Sequence, residues 1–385
     1  MNAGPPRLVV HVIHHLVVGG MENTLVNLIN HAPTDRFRHA VICIEDHSDF
    51  RDRIHDAGVE VLSLHRSRVG AAAVRRSIYT LCRQWKPAIV HSRNMSGLDA
   101  LLPAFLARVP VRIHSEHGWD VDNLDGTQWR PALLRRLHSP LVSAYITVSR
   151  DLAQFLQRRL HIAPARVHQI YNGVDTERFR PRAEGENSPL PAGFGGPGRL
   201  CIGTVGRIQA VKDQACLVQA VAHLLRAQPQ LRAQVRLVIV GHGPLLPTLQ
   251  GLVQQLGLSD IVWMPGASDQ VHHILRALDL FVLPSLNEGI SNTVLEAMAS
   301  GLPVLASRVG GNPELVAEGA CGELFAAGDV QALSTLLAAY CKDPARRASQ
   351  ALAARQRAEQ HFSLPAMVAR YADLYSRLSD AAARP

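Results

Sequence analysis

Two glutamates, Glu288 and Glu296, lie eight residues apart with the predicted start of a helix between them. Ser291 or Asn292 is the predicted N-cap, because apolar residues recur at helical spacing directly afterwards. The N–H groups of a helix start bind anions, and carboxylates accept hydrogen bonds from sugar or ribose hydroxyls. The pattern therefore suggests a sugar-nucleotide site, with a surface helix whose acids favour its N-terminus as the alternative.

Two cations are predicted near the end of a buried strand. Residues 200–205 are apolar, Gly206 predicts a turn, and Arg207 and Lys212 follow. Only three of the 40 basic residues are lysines, so a compact ammonium at this place is unusual for the chain and suits phosphate oxygens. A solvated pair at a helix start is the alternative. We expect both side chains to be surface cations that contribute little to folding.

With these residues the chain resembles the retaining glycosyltransferases of family 4. The resemblance runs nearly end to end, and its segments are specific in their order and spacing: 19–22, 116–118, 145–149, 171–175, 205–207 with Lys212, 240–244 and 288–296. It implies an α/β fold of the GT-B type, with two facing Rossmann-like domains, parallel sheets and a cleft between them. Within the family, segments 18–22 and 287–292 resemble bacterial exopolysaccharide transferases, including those associated with the PEP-CTERM sorting system.

The resemblance also implies roles for individual residues. Glu288 is expected to hold donor-sugar hydroxyls, Glu296 the ribose, and His117 to lie near the anomeric carbon, with a core or turn histidine as its alternative. The catalytic candidates are His117, Glu288, Arg207 and Lys212. The donor-binding candidates are Gly19, Gly20, Arg207, Lys212, His242, Ser291, Asn292, Thr293 and Glu296. No metal or cofactor is expected, because Arg207 and Lys212, with the N–H groups of Asn292 and Thr293, take the place of a divalent ion.

One departure from the family pattern concerns the phosphate contacts. Many relatives have Phe-Gly after the first glutamate step, whereas this chain has Ile290-Ser291-Asn292. Glycine permits the closest backbone approach, and Ser and Asn instead offer side-chain caps. The contacts to the diphosphate are therefore open at this point.

Length and composition agree with two α/β domains. The chain has 385 residues, of which 47% are hydrophobic and only 5% aromatic, a composition typical of layers cored by Val, Leu, Ile and Ala. The net charge of +8 indicates an anionic partner: a nucleotide, an anionic membrane or nucleic acid. No zinc-finger or RNP motif and no basic run interleaved with aromatics is present, which argues against nucleic acid. The expected partners are a nucleotide sugar and a glycan or lipid-linked acceptor, with peripheral contact to an anionic membrane left open.

The cysteines and apolar runs favour a cytoplasmic protein. Six cysteines form no C-x-x-C pair and mostly lie in apolar surroundings, as reduced core residues do. The first apolar run, residues 8–18, contains three histidines and is predicted to be a strand rather than a signal peptide. No apolar stretch of about 18 residues exists, so membrane contact is expected only at the inner face, peripherally.

Other functional classes lack their motifs. The histidine groups 11/14/15, 114/117 and 272/273 have no ligands at familiar metal spacing beside them. A P-loop is absent, and no G-x-G-x-x-G follows the first strand, which argues against P-loop ATPases and nicotinamide dehydrogenases.

The chain is predicted to divide into two similar halves. The segment 181–198 is rich in proline and glycine and is predicted to be the linker between domains 1–180 and 199–361. Strands are predicted at 8–18, 40–44, 59–62, 88–91, 111–114, 144–148, 200–205, 236–240, 261–264, 280–283 and 303–307. An amphipathic helix within 362–385 is expected to return to the first domain.

Three functions remain open from the sequence. The leading one is retaining transfer of a sugar from a nucleotide-diphosphate sugar, most readily a UDP-sugar, in exopolysaccharide or cell-envelope polysaccharide assembly. The second is a nucleotide-sugar 2-epimerase of the same architecture, and the third is a partner subunit that has the fold without the chemistry.

Overall fold

The computed structural model describes residues 5–119 and 127–383. The chain forms two compact units, Met1–Gly173 with Leu364–Pro385, and Val174–Ser363. Residues 181–198, which were predicted to be a linker, lie in the second unit. Each unit is built around one parallel sheet, which confirms the predicted α/β class with two Rossmann-like domains.

The first sheet has seven strands in the order β3-β2-β1-β4-β5-β6-β7, and all of its pairings are parallel. Its central strands are rich in Val and Ile and buried on both faces, as strands covered by helices are. The strands are β1 Arg7–Ile13, β2 Phe37–Cys43, β3 Glu60–Ser63, β4 Ile89–Arg93, β5 Val111–Glu116, β6 Ala144–Thr147 and β7 Val167–Gln169.

The second sheet has six strands in the order β10-β9-β8-β11-β12-β13, again all parallel. They are β8 Leu200–Val205, β9 Val235–Val240, β10 Val262–Gly266, β11 Leu280–Leu283, β12 Val304–Ser307 and β13 Gly322–Phe325. The sequence analysis missed only the two edge strands β7 and β13, because one has three residues and the other begins with Gly-Glu.

Helices connect the strands of both sheets. They are α1 Gly20–His31, α2 Arg66–Val69, α3 Ala71–Trp85, α4 Asn94–Gly97, α5 Leu101–Leu106, α6 Trp129–His138, α7 Arg150–Gln154, α8 Gln214–Ala227, α9 Leu246–Gln255, α10 Val271–Arg276, α11 Asn292–Ala299, α12 Asn312–Leu315, α13 Val330–Lys342, α14 Pro344–His361 and α15 Leu364–Ala383. In the described part of the chain, no helix combines the length and the apolar character needed to cross a membrane.

The last helix, α15, belongs to the first unit. Its buried side chains Met367, Tyr371, Leu374 and Tyr375 recur every three or four residues and therefore share one face. This face packs with apolar side chains of β1, β4 and β5 in one core cluster. The helix thus completes the layer over one side of the first sheet.

Each sheet contains one point where the strand order reverses. In the first sheet it lies between β1 and β4, and in the second between β8 and β11. Ligands of open parallel sheets bind beyond the carboxyl ends of the strands at such a point. The segments that follow these four strands are therefore the candidate ligand-binding segments.

Candidate functional site

The loop after β8 is held against the loop after β9. The Ile208 N–H donates to the His242 carbonyl at 3.0 Å. A Cβ at Gly243 would lie 2.2 Å from the Ile208 carbonyl oxygen, so only glycine allows this approach. The exposed side chains of Arg207 and His242 consequently belong to two loops joined by their backbones.

Lys212 is placed by the turn that precedes α8. The turn Ala210–Lys212 is one 3₁₀ helix, and Asp213 follows it in the left-handed conformation with φ 42°. The Asp213 side chain caps α8. The Val211 carbonyl accepts a 2.8 Å hydrogen bond from the Leu286 N–H, which ties the turn to the loop after β11. The lysine therefore lies beside the loop that carries Glu288.

Glu288 is only 8% exposed and is bound by two donors. The Lys212 Nζ lies 2.5 Å from Glu288 Oε1, and the Ser285 hydroxyl donates to the same oxygen at 2.7 Å. Gly310, with φ 48°, passes so close that a Cβ there would lie 1.7 Å from the Glu288 carbonyl oxygen. Side chain and backbone of Glu288 are thus both fixed at the carboxyl end of β11.

This ion pair corrects the prediction for Lys212. Its side chain is 23% exposed and is bonded to a buried carboxylate, so Lys212 is not a surface cation without a role in folding. Removing it would leave Glu288 without its counter-charge, at a cost of about 1–3 kcal/mol. Arg207, in contrast, is exposed as expected.

The N-cap of α11 was left open between Ser291 and Asn292. Ser291 is the N-cap, and its hydroxyl accepts a hydrogen bond from the Val294 N–H at 3.3 Å. The Ser291 and Thr293 hydroxyls are 3.1 Å apart and hydrogen-bonded, while the Ile290 side chain is buried. The residues that depart from the family pattern therefore cap the helix and fill the core. Asn292 and Thr293 form the half-buried first turn.

Glu296 lies half-buried on α11, in the turn after Asn292 and Thr293. The structure thus places every predicted site residue of the second unit in segments that follow β8, β9 and β11. Direct contact joins Glu288 to Lys212, and backbone bonds join the loops of Arg207 and His242. These residues offer two cations, two carboxylates and a helix start at the carboxyl edge of the sheet.

Gly19 and Gly20 begin α1 in the first unit. Gly19 is the N-cap, has an extended conformation and, as a glycine, has no side chain that could cap the helix. Helix α1 begins at Gly20. Glu22 follows in the first turn. The two glycines therefore leave the backbone of this helix start uncovered by their own side chains.

His117 directly follows β5 and is fixed by two hydrogen bonds. Its N–H donates to Asn94 Oδ1 at 2.9 Å, and its Nε2 lies 2.9 Å from the Ser115 hydroxyl. Burial and the nearby Arg93 guanidinium lower the pKa of His117 to about 3. The imidazole is consequently neutral at physiological pH and cannot supply a positive charge.

Family models match both halves of the chain. Residues 196–357 match "Glycosyl transferases group 1", and residues 18–178 match "Glycosyltransferase Family 4". The lipopolysaccharide core biosynthesis mannosyltransferase LpsB of Rhizobium meliloti is 31% identical over 300 residues, which cover 77% of this chain and 80% of LpsB. The chain belongs to glycosyltransferase family 4.

Two further proteins are similar to this family 4 glycosyltransferase over most of its length. The putative glycosyltransferase EpsF of Bacillus subtilis is 29% identical over 323 residues, which are 80% of each chain. The crystal structure of Anabaena Alr3699/HepE in complex with UDP and glucose superposes with a TM-score of 0.80 at 20% identity, covering 96% of this chain and all of that one. The second likeness concerns the fold, which is of the GT-B type.

The sequence analysis missed a buried polar cluster in the first unit of the transferase. Arg93 at the end of β4 is 2% exposed and is surrounded by His11, His91, Tyr371 and Tyr375. The signal was present, because polar residues interrupt otherwise apolar strands: His11 in β1, and His91 with Arg93 in β4. His11 was considered only as a metal ligand, and His91 and Arg93 were not singled out.

Glu116, beside His117 in the family motif, has a structural partner in the transferase. Arg135 of α6 donates to Glu116 Oε1 at 2.6 Å, and His114 Nε2 lies 3.3 Å from the same oxygen. Burial alone would raise the pKa of Glu116, but Arg135 and His114 lower it to about 2. Glu116 therefore holds α6 in place through Arg135. Among the described residues, His117 Nδ1 has no hydrogen-bond partner.

Metal binding was assessed from the side chains that could serve as ligands. Among the described residues, no group of three His, Cys, Asp or Glu side chains could hold a metal ion. The expectation of a metal-free site overlooked one Asp-x-Asp triplet in the sequence, at 120–122, which lies outside those residues. All six cysteines are buried and unpaired in the described part, and burial raises the pKa of the Cys43 and Cys201 thiols to about 12.

Proposed function

We propose that this transferase moves a sugar, with retention of its anomeric configuration, from a nucleotide-diphosphate sugar to a glycan or lipid-linked acceptor. The observation that carries the proposal is the ion pair between the buried Glu288 and the partly exposed Lys212, at the strand-order reversal of the second sheet beside the loop of Arg207. A buried carboxylate accepts sugar hydroxyls, and the two cations match a diphosphate.

The diphosphate is assigned to the segments that follow β8 and β11. Arg207 is exposed and Lys212 is partly so, which leaves both cations within reach of solvent-borne phosphate. The cap bond of Ser291 uses the Val294 N–H, and we assign the N–H groups of Asn292 and Thr293 to phosphate oxygens. Glu288 is assigned to the donor-sugar hydroxyls and Glu296 to the ribose.

These groups act on the charge that develops during transfer. The bond between C1 of the sugar and the phosphate oxygen breaks, the acceptor hydroxyl oxygen forms the new bond to C1, and the hydroxyl proton passes to the departing diphosphate. Negative charge grows on the departing diphosphate while the sugar passes through an oxocarbenium-like state. Arg207 and Lys212 are assigned as donors to that charge, which lowers the barrier.

We expect the transfer to require neither a metal ion nor a cofactor. Two cations supply the positive charge that a divalent ion would otherwise supply. The test is a transfer assay after EDTA treatment and desalting, in which we expect unchanged turnover. Activity that is lost to EDTA and restored by magnesium or manganese would overturn this point and direct attention to residues 120–122.

UDP is the proposed nucleotide, and cell-envelope or exopolysaccharide assembly is the proposed process. The support is that Anabaena Alr3699/HepE was crystallised with UDP and glucose, and that LpsB is a lipopolysaccharide core mannosyltransferase. A thermal-shift panel of UDP-, GDP- and ADP-sugars tests the nucleotide. A ligand at a hundred times its dissociation constant adds about 2.7 kcal/mol of stability, so the preferred donor should give the largest shift. NMR of the product's anomeric configuration tests retention.

We further propose that α6 contacts an anionic membrane from the cytoplasmic side, where a lipid-linked acceptor would lie. Trp129, Leu133 and Leu137 are exposed at i, i+4 and i+8 and form one apolar stripe. The exposed Arg130 and Arg136 flank this stripe, and α6 carries no acidic residue. Apolar side chains flanked by arginines match the headgroup region of an anionic bilayer.

Vesicle flotation tests this contact. We expect the protein to float with vesicles that contain anionic lipid, and the variant Trp129→Ser/Leu137→Ser to remain in the lower fraction. The matched control is Leu352→Ser, which changes an exposed leucine of α14 in the second unit. Equal flotation of all three proteins, or none by the wild type, would overturn the proposal.

A further inference from the structure

A continuous chain of hydrogen bonds links Arg93 to His117. His91 Nδ1 lies 3.4 Å from an Arg93 amino nitrogen and 2.7 Å from the Tyr375 hydroxyl. His91 Nε2 lies 3.0 Å from the Ser115 hydroxyl, and that hydroxyl lies 2.9 Å from His117 Nε2. Strand alternation explains the line-up, because residues 91 and 93 of β4 and residue 115 of β5 point to the same face of the sheet.

Arg93 fixes the direction of every bond in this chain. A guanidinium only donates hydrogen bonds, and Arg93 bonds to the Tyr375 side chain as well, so the Tyr375 oxygen accepts from Arg93 and its O–H donates to His91 Nδ1. His91 Nδ1, which faces both donors, is therefore the accepting nitrogen. Burial lowers the pKa of His91 well below its usual value, and the positive charge of Arg93 lowers it further. A neutral imidazole whose Nδ1 accepts carries its proton on Nε2, and that proton is donated to the Ser115 hydroxyl oxygen.

The hydroxyl of Ser115 transmits the donor-to-acceptor direction of these hydrogen bonds from His91 to His117. Because its oxygen accepts from His91, its own O–H is available to donate, and its other recorded partner is His117 Nε2. His117 therefore accepts at Nε2 and, being neutral, carries its proton on Nδ1. This Nδ1 atom is buried and has no hydrogen-bond partner within residues 5–119 and 127–383.

A second branch shows the same orientation. Another amino nitrogen of Arg93 donates to His11 Nδ1 at 3.2 Å, which places the proton of His11 on Nε2. That Nε2 lies 2.9 Å from His39 Nδ1. Burial lowers the pKa of His39 to about 4 and that of His11 well below its usual value, so both rings are neutral. Within the described part of the chain, the groups hydrogen-bonded to Arg93 are thus neutral acceptors, and the Glu22 carboxylate contributes a favourable charge interaction.

We propose that Arg93, acting through His91 and Ser115, holds the proton of His117 on Nδ1, so that His117 presents a neutral N–H donor to an oxygen of the sugar nucleotide. The role toward the sugar nucleotide rests on the function proposed above, whereas the tautomer does not. Arg93, His91 and Ser115 are positioning residues. A buried N–H without a partner costs about 1–3 kcal/mol, and an oxygen of the ligand removes this cost on binding.

Nitrogen NMR of histidine-labelled protein tests the tautomer without any substrate. Comparison with the His117→Asn variant assigns the His117 signals, and we expect the wild-type proton on Nδ1. Ser115→Ala removes the link, so the His117 signals should move toward the other tautomer, and Ser115→Thr, which keeps a hydroxyl, should restore them. The matched control is Ser92→Ala, since Ser92 is an equally buried serine bonded to His114 and not to His117.

A kinetic comparison tests the use of the N–H. The amide nitrogen of asparagine can occupy the place of Nδ1 and that of glutamine the place of Nε2. We therefore expect His117→Asn to retain about tenfold more kcat/KM for the sugar nucleotide than His117→Gln, and Ser115→Ala to lose about tenfold, a modest part of what removing a fixed donor costs.

The outcomes separate the two proposals. A wild-type proton on Nε2, or unchanged His117 signals in Ser115→Ala, would overturn the positioning role of Arg93, His91 and Ser115. A proton on Nδ1 with glutamine equal to or better than asparagine would overturn the use of the N–H. If no sugar nucleotide binds while the proton lies on Nδ1, the proposed function is wrong and the tautomer assignment stands.

Discussion

The carboxyl edges of the two sheets hold buried charge in opposite ways. In the second unit, Lys212 is paired with Glu288, and their bond joins the loops after β8 and β11. In the first unit, the side chains that bond to Arg93 are the neutral His11, His91 and Tyr375, and its Nε has no partner among the described residues. A paired charge can be exchanged for the charge of a ligand, whereas an unpaired cation orients the dipoles around it.

The largest effect is expected when the paired charge is broken. Lys212→Met should lower turnover about 100- to 1000-fold, because a fixed donor to the diphosphate is lost. It should also lower the melting temperature, because Glu288 remains buried without its counter-charge. Turnover assays and calorimetric melting measure the two effects.

A double variant separates folding from catalysis at the same pair. Lys212→Met/Glu288→Gln removes both charges, so we expect the melting temperature to recover while turnover stays low. An unchanged melting temperature in Lys212→Met alone would mean that the pair contributes nothing to folding. Recovery of turnover in the double variant would mean that the lysine acts only through Glu288.

The next effect concerns the neutral histidines of the first unit. His11, His39, His91 and His117 have lowered pKa values, about 4 for His39 and about 3 for His117. Below pH 6.5 the unfolded chain binds protons that the folded unit does not, so stability falls as the pH falls from about 6.5 toward 4. Each such histidine contributes about 1.4 kcal/mol per pH unit in this window.

Hydrogen exchange measured by mass spectrometry reads the two units separately. Between pH 7 and pH 5, protection corrected for intrinsic exchange should fall more in the first unit than in the second. Glu116 is not the cause, because its lowered pKa, about 2, makes its contribution fall only below about pH 4.5. Parallel losses in both units would contradict the contribution of the buried histidines.

A smaller effect distinguishes the two carboxylates of the second unit. Glu296→Gln should weaken UDP binding by about 1–3 kcal/mol, because a charged acceptor for the ribose hydroxyls is lost. Glu288→Gln should leave UDP affinity unchanged or raise it, since it removes the partner that neutralises Lys212 and UDP has no sugar for Glu288 to hold. Isothermal titration of both variants measures this. Equal losses, or the reverse order, would mean that the roles are exchanged.

The fold was predictable because its signals are local. Eleven of the thirteen strands follow from short Val- and Ile-rich runs, and the Ser291 cap lies where the helical spacing begins. The pairing of Glu288 with Lys212 was not predictable, because the two residues are 76 positions apart and only the parallel order β8-β11 brings them together. Separation along the chain therefore limited the prediction of the site more than the prediction of the fold.

The polar cluster shows a different limit. His11, His91 and Arg93 are visible in the sequence as polar residues within apolar strands. Their partner Tyr375, however, comes from α15 at the other end of the chain, 284 positions from His91. Without that packing, histidines at alternate strand positions could not be distinguished from metal ligands or ordinary core residues.

The smallest expected effect belongs to Arg207, the exposed counterpart of Lys212. Arg207→Ala should lower turnover about tenfold, because solvent screens an exposed cation more than a partly buried one, and should leave the melting temperature unchanged. Arg226→Ala is the matched control, since it removes one exposed positive charge from the last turn of α8, away from the carboxyl edge. Steady-state kinetics at low and moderate salt measure both variants. If Arg226→Ala lowers turnover as much as Arg207→Ala, overall charge accounts for the effect and Arg207 does not contact the diphosphate.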